Sequence, residues 1–140
     1  MTEESKAIRT VRRVIECDNG RDGAGYRALL HDDYRSFVHG QPSTEGAEAE
    51  VAALEAWWKA ASDVHLEPVE LVASGGLVTL RYTLEGTNDG ELAGRPATGR
   101  RFRIENCTLL LVEDGRVRRA WRYSDTAGLM GQLGLAPEPS

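Results

Sequence analysis

Residues 101–125 read RFRIENCTLLLVEDGRVRRAWRYSD, and the reading of this stretch decides the fold. Apolar and polar side chains alternate over 101–113 and again over 116–125, the period of two that places alternate residues on opposite faces of a strand. Asp114-Gly115 lies between the two runs, and this pair suits a two-residue hairpin turn because both central residues need a positive φ. With Glu113 opposite Arg116, counting outward sets the register. Val112 then faces Val117, Leu110 faces Arg119, Thr108 faces Trp121, Asn106 faces Tyr123, and Ile104 faces Asp125. The opposite face carries Leu111 with Arg118, Leu109 with Ala120, and Cys107 with Arg122. The first face combines large rings, uncharged polar groups and one carboxylate, which describes the wall of a small-molecule cavity better than a plain aliphatic core. The second mixes aliphatic and charged residues, as a partly exposed face or a subunit contact would.

Working outward from the hairpin, residues 66–73 and 77–86 also alternate and are joined by Ser74-Gly75-Gly76, a second hairpin. Residues 87–99 carry Gly90, Gly94, Pro96 and Gly99 and read as a loop. Nearer the N-terminus the period lengthens. Residues 4–17 place Ile8, Val11 and Ile15 on one narrow helical stripe, which Asp18-Asn19-Gly20 ends. A short helix is predicted over 26–30 and a strand over 34–39, broken by residues 40–44. A third helix over 46–61 gathers Val51, Leu54, Trp57, Trp58 and Ala61 on a broad face. Residues 126–133 suggest a last helical turn, and 136–140 a frayed tail. The order predicts one α+β domain over residues 1–140: a curved antiparallel sheet with about three N-terminal helices enclosing a pocket.

Composition narrows the function. A chain of 140 residues fits a single domain, and 41% hydrophobic with 28% charged residues suits a globular protein. The net charge of −5 argues against nucleic acid or an anionic membrane surface as main partner. The arginines from Arg95 to Arg122 are interleaved with Glu105, Glu113 and Asp114, as on a solvated face. The acidic start Met1-Thr2-Glu3-Glu4-Ser5 does not read as a secretory signal, and no apolar run approaches the roughly 20 residues of a membrane span. Cys17 and Cys107 lack metal or disulfide spacing, so a reducing cytoplasm is expected. No two histidines have ligand spacing, and no metal site is expected.

The C-terminal half resembles a known family. Gly94-x-Pro96-x-Thr98-Gly99-Arg100, Asp114-Gly115-Arg116-Val117, Trp121-x-x-x-Asp125 and Gly128-Leu129-Met130-x-Gln132-Leu133-Gly134 together look like the SnoaL-like polyketide cyclases of the nuclear transport factor 2-like superfamily. The helix, strand, helix, hairpin order of the first half is similar too. The resemblance implies a cone around a deep apolar pocket, a homodimer built on the outer sheet face, and ring closure by intramolecular aldol condensation with no metal or cofactor. It also implies that Asp125 is the acid/base residue. The chain departs from the family at Tyr123, where such cyclases can carry a histidine, and at Arg119, where glutamate is common. Other enzymes on the same cone (dehydratase, isomerase, epoxide hydrolase, hydroxylation factor) and a non-catalytic ligand carrier are the alternatives.

Aldol closure needs a base for a carbon-bound proton and an acid for the new alkoxide. A carboxylate among rings has its charged form disfavoured, which suits Asp125, although Asp125 before Thr126-Ala127-Gly128 is equally placed to cap a helix. His39, at a strand end, has the intrinsic pKa for proton transfer; a surface histidine is the plain alternative. Tyr123 offers a phenol to an enolate oxygen, or else is a core ring, and Asn106 opposite it offers an amide. Trp121, Thr108 and Ile104 complete the expected substrate wall. Trp57 and Trp58 are adjacent and cannot share one narrow stripe, so one should face the sheet and the other the pocket mouth or a partner; Trp58 is taken as the substrate contact.

Overall fold

The computed structural model describes residues 1–135. Its elements run α1 (Glu3–Asn19), α2 (Gly23–Ala28), β1 (Leu30–Val38), β2 (Gln41–Glu45), α3 (Ala47–Ala60), β3 (His65–Ser74), β4 (Leu77–Thr87), β5 (Arg101–Glu113), β6 (Arg116–Tyr123) and α4 (Thr126–Leu133). The tail expected over 136–140 lies outside the described residues.

α1 starts where Thr2 accepts the Ser5 amide at 3.0 Å, with Glu3 and Glu4 complementing the positive end of the helix dipole. Its buried face is Ala7, Val11, Val14 and Ile15, spaced by three and four. The short helix begins three residues earlier than expected because the Asp22 carboxylate caps it, accepting the Gly25 amide at 2.9 Å. Leu30 is thereby freed to begin β1, opposite Val117. Residues 40–44, expected only as a break, hold most of a short, exposed strand at the sheet edge, where Pro42 leaves no central ladder bond unmade.

The six strands form one sheet in the order β2-β1-β6-β5-β4-β3. It is mixed rather than antiparallel throughout: β1 runs parallel to β6, while the other pairs are antiparallel. A parallel neighbour needs a long connection, and here α3 and the whole β3–β5 meander intervene. Both glycine turns form as expected. Asp114 and Gly115 have φ of 53° and 74°. Gly76 is required for a second reason: a Cβ there would lie 2.4 Å from the Val112 carbonyl oxygen.

The largest correction concerns the last hairpin. Glu113 pairs with Arg116 and Val112 with Val117 as counted, but Leu111 then pairs with Arg119, so Arg118 is the extra residue of a β-bulge. Every later partner moves by one: Leu110 faces Ala120, Leu109 faces Trp121, Thr108 faces Arg122, and Cys107 faces Tyr123. A one-residue slip exchanges the faces of the strand. Ala120 and Arg122 therefore turn inward and Trp121 and Tyr123 outward, the reverse of the expected arrangement. Arg118, carried on the bulge, pairs with Asp33 and Glu113 at 3.0 and 2.9 Å.

α1 packs its apolar face on the concave side of the sheet, against Val78, Leu80, Tyr82, Leu110, Val112, Val117 and Ala120. A second cluster joins Leu129 and Leu133 of α4 to Phe102, Ile104, Val64 and Ala61. The loop between β4 and β5 is clamped by buried Asn88, whose Nδ2 donates to the Ala60 and Gly90 carbonyls at 3.0 and 2.9 Å while Oδ1 accepts from Thr98. Gly90 is pressed so closely on the end of α3 that a Cβ would fall 1.9 Å from the Lys59 carbonyl oxygen.

Candidate active site

Between the helices and the concave sheet lies a cavity of about 300 Å³. Val11, Val14 and Ile15 of α1, Leu54 and Trp57 of α3, and Leu80, Leu84, Ile104 and Leu110 of the sheet give it apolar walls. Its polar groups are few: Asp18, Tyr26, Glu50, Tyr82, Asn106, Thr108, Arg122 and Ser124.

Arg122 and Glu50 form the charged centre. Glu50 is 3% exposed, and its Oε1 accepts from Arg122 Nη2 at 2.5 Å. Oε2 accepts from the Thr44 hydroxyl at 2.5 Å, and Ser36 Oγ lies 3.5 Å from it. Burial works to raise the Glu50 pKa, but the Arg122 charge and the hydrogen bonds from Arg122, Thr44 and Tyr34 outweigh it and hold the carboxyl below its ordinary value. Burial pushes the Tyr34 phenol up to about 12, and it pushes Tyr26 well above the ordinary tyrosine range. Arg122 stays charged: burial opposes its charge, and Glu50 beside it more than restores it. Along one wall the Tyr82 and Thr108 hydroxyls share a hydrogen bond of 3.1 Å.

Asp18 enters the same cavity from the last turn of α1. Its Oδ1 accepts the Trp58 Nε1–H at 2.9 Å. Burial raises its pKa, and the Trp58 hydrogen bond and the charges of Arg21 and Arg122 offset only part of that rise.

Of the residues expected at the site, Ile104, Asn106 and Thr108 stand on the cavity wall. Trp121 and Tyr123 do not, because the bulge turns them out. Trp121 stacks on Phe37 with centroids 6.2 Å apart, and Tyr123 is 48% exposed. Trp57, not Trp58, lines the cavity, and it packs against Phe102 at 5.6 Å; Trp58 turns to Asp18 and Arg21. Asp125 is exposed and caps α4: its Oδ1 accepts the Gly128 amide at 2.9 Å, while its own amide donates to Asn106 Oδ1 at 3.1 Å. Along the chain it lies between Ser124 and Leu129, which line the cavity, but Asp125 itself does not line it and is not the ring-walled carboxylate expected, because the bulge turns Trp121 and Tyr123 away. His39 is exposed in the β1–β2 turn with φ of 50°, and its Nε2 sits 2.9 Å from the Ser124 carbonyl oxygen and 3.1 Å from the Ser124 nitrogen.

Sequence reasoning passed over Asp18, Glu50 and Arg122. Two of them carried a signal. Asp18 follows Val11 and Ile15 on the α1 stripe, and Glu50 precedes Leu54 and Trp57 on the α3 stripe, each an acid at a core-facing position. Arg122 carried none, since only the bulge turns it inward.

A curved six-stranded sheet closed by helices around an apolar cavity with a few polar groups is the architecture of a protein that holds a small molecule. The SnoaL-like polyketide cyclase family model matches residues 8–133, and the chain belongs to that family as an enzyme of cyclase type. It is 34% identical over 134 residues to the aklanonic acid methyl ester cyclase DnrD of Streptomyces peucetius, covering 93% of this chain and 92% of that one. It is 30% identical over 107 residues to the nogalonic acid methyl ester cyclase of Streptomyces nogalater, covering 75% and 80%. Among solved structures, TsrD from Streptomyces laurentii superposes with a TM-score of 0.83 at 29% identity, over 94% of this chain and 96% of that one. Among the described residues, no helix is long and apolar enough to cross a membrane.

Proposed function

We propose that this protein closes a ring in the methyl ester of a polyketide acid, of the kind named for its aklanonic and nogalonic acid relatives, by cofactor-independent intramolecular aldol condensation. The observation that carries this reading is the cavity: apolar walls sized for a small polycyclic ligand, with hydrogen-bond donors confined to a few positions. Asp125 serves as the base that takes the proton from a carbon flanked by carbonyls. Its place in the chain next to Ser124, which lines the cavity, supports this, as does its Oδ2, which accepts no hydrogen bond among the described residues. Asn106, with Oδ1 engaged by the Asp125 amide, keeps Nδ2 for the enolate oxygen, and Arg122 offers a second, charged donor. His39, joined to Ser124, fixes the strand end that carries Asp125.

Asp125→Asn tests the reading cleanly, because asparagine caps a helix as well as aspartate does. Turnover of aklanonic acid methyl ester is expected to fall by about 10²–10⁴-fold with thermal stability unchanged. Turnover that survives within a few-fold removes Asp125 from the chemistry. We also read the protein as a homodimer, since the outer sheet face presents Phe37 stacked on Trp121 beside Leu109 and Leu111, and as cytoplasmic, since Cys17 and Cys107 are free thiols.

A further inference from the structure

Two carboxylates line the cavity, and they are differently committed. Glu50 is locked to Arg122, Thr44 and Ser36. Asp18 receives one hydrogen bond from Trp58, and among the described residues its Oδ2 accepts none. Arg21 makes no ion pair with it: its guanidinium is spent on the carbonyl oxygens of Asp18, Ser62 and Val64 and lies 5.8 Å from the centre of the Trp58 ring. Asp18 also sits in the last turn of α1, whose partial negative charge disfavours a second anion. A carboxyl that is apolar-walled, half-satisfied and open to a ligand space has no structural task that asparagine would not do as well.

We propose that Asp18 is a second catalytic residue, the general acid that delivers a proton to the oxygen of the new ring. This rests on the aldol reading above and adds the group that reading lacks. Asp125 takes the proton from the activated carbon, leaving an enolate. The enolate carbon bonds to the ketone carbon, and the carbonyl π pair moves onto oxygen. Asp18 O–H gives that oxygen its proton and becomes a carboxylate held by the Trp58 N–H. Asp125 passes its proton to water and Asp18 regains one, so each cycle is balanced without a co-reactant. A buried acid paired with a solvent-facing base is the usual way for two carboxyls to divide such work.

The groups facing Asp18 are Arg21 beyond α1, Tyr26 on α2, Glu50 and Trp58 on α3, and Arg122 on β6; of these Arg21 and Arg122 lower its pKa, Glu50 raises it, and burial raises it most. Because the protonated form is the active one, kcat must fall as pH rises through this raised pKa.

The test is Asp18→Asn assayed with aklanonic acid methyl ester across pH. The asparagine Oδ1 still accepts from Trp58, so the fold is retained. We expect kcat to drop by about 10²-fold or more with KM within about threefold, and the alkaline limb of the kcat profile to vanish. Trp58→Phe, which removes the donor that favours the carboxylate, should move that limb to higher pH without abolishing turnover. On the protein alone, the Asp18 carboxyl followed by ¹³C NMR should titrate above the ordinary aspartate value, with the Trp58 Nε1–H resonance following the same curve. A wild-type enzyme beside an unimpaired Asp18→Asn variant, or an Asp18 titrating at or below the ordinary value, overturns the role of Asp18 alone. A wild-type protein inert toward both aklanonic and nogalonic acid methyl esters overturns the aldol reading on which that role rests.

Discussion

Arg122 and Tyr123 are consecutive on β6, yet one is tied into the interior of the cavity and the other lies nearly half exposed at its rim. Around Arg122 the polar groups lean on one another: Glu50 on Arg122 and Thr44, Thr108 on Tyr82, and one oxygen of Asp18 on Trp58. Around Tyr123 are His39, Ser124 and Asp125, exposed or half-buried, fixed chiefly by contacts to backbone. The interior thus holds charge under desolvation, where each group depends on its partner. The rim holds its groups in water, where single losses cost little. A site for proton transfer draws on both, one for perturbed acidity and the other for exchange with solvent.

That contrast can be broken most severely at Glu50. Glu50→Ala leaves Arg122 charged and unpaired, and because the Arg122 side chain is 29% exposed and so partly solvated, urea unfolding should show a loss of about 2–3 kcal/mol, below the cost of breaking a fully buried pair. Replacing both partners by apolar residues of similar volume should recover most of it, because neither charge is then left to solvate. The pH dependence has a defined sign. The Glu50 pKa is held below its ordinary value, so its contribution is present above the ordinary glutamate range and is lost as pH falls through the lowered pKa.

Asp18 should behave oppositely. Its folded-state pKa is raised, so the favourable protonated form is available below the ordinary aspartate value and is lost as pH rises through the raised one. Asp18→Asn should therefore melt above the wild type at neutral pH and coincide with it in strong acid; a calorimetric scan at both ends checks this. A residue whose removal both slows turnover and stabilises the fold carries function at a cost in stability.

The smallest effect is expected at the rim. Tyr123→Ser should leave stability within about 0.5 kcal/mol, since the residue is 48% exposed and its ring meets His39 in a tilted contact at 6.4 Å. Turnover should keep its order of magnitude. A large loss in the steady-state assay would bring the phenol back into the chemistry and erase the distinction between rim and interior.

Much of this was legible in the chain. The span of β5, the Asp114-Gly115 turn, the extent of α4 and the inward positions of Ile104, Asn106 and Thr108 follow from alternation and turn chemistry, which are local. The capping alternative for Asp125 was equally visible, because a carboxylate three residues before a free helix amide is a local signal too. Misplacing Trp121 and Tyr123 has a single cause, the extra residue at Arg118. A bulge has no distinctive residue signature when its neighbours are Val117, Arg118 and Arg119, and its effect passes to every position after it.

By itself the sequence determined an α+β domain, a helical cover with apolar stripes, the hairpin meander and membership of a family of cone-shaped enzymes, because periodicity, turn residues and motif spacing are written in neighbouring positions. The tertiary structure alone decided that β1 runs parallel beside β6, that Arg122 meets Glu50 across 72 residues, and that Asp18 shares their cavity. Those facts depend on which face of β6 turns inward after the bulge and on which stripe of α1 and α3 is laid against it, and that is settled only when the whole sheet curves and closes.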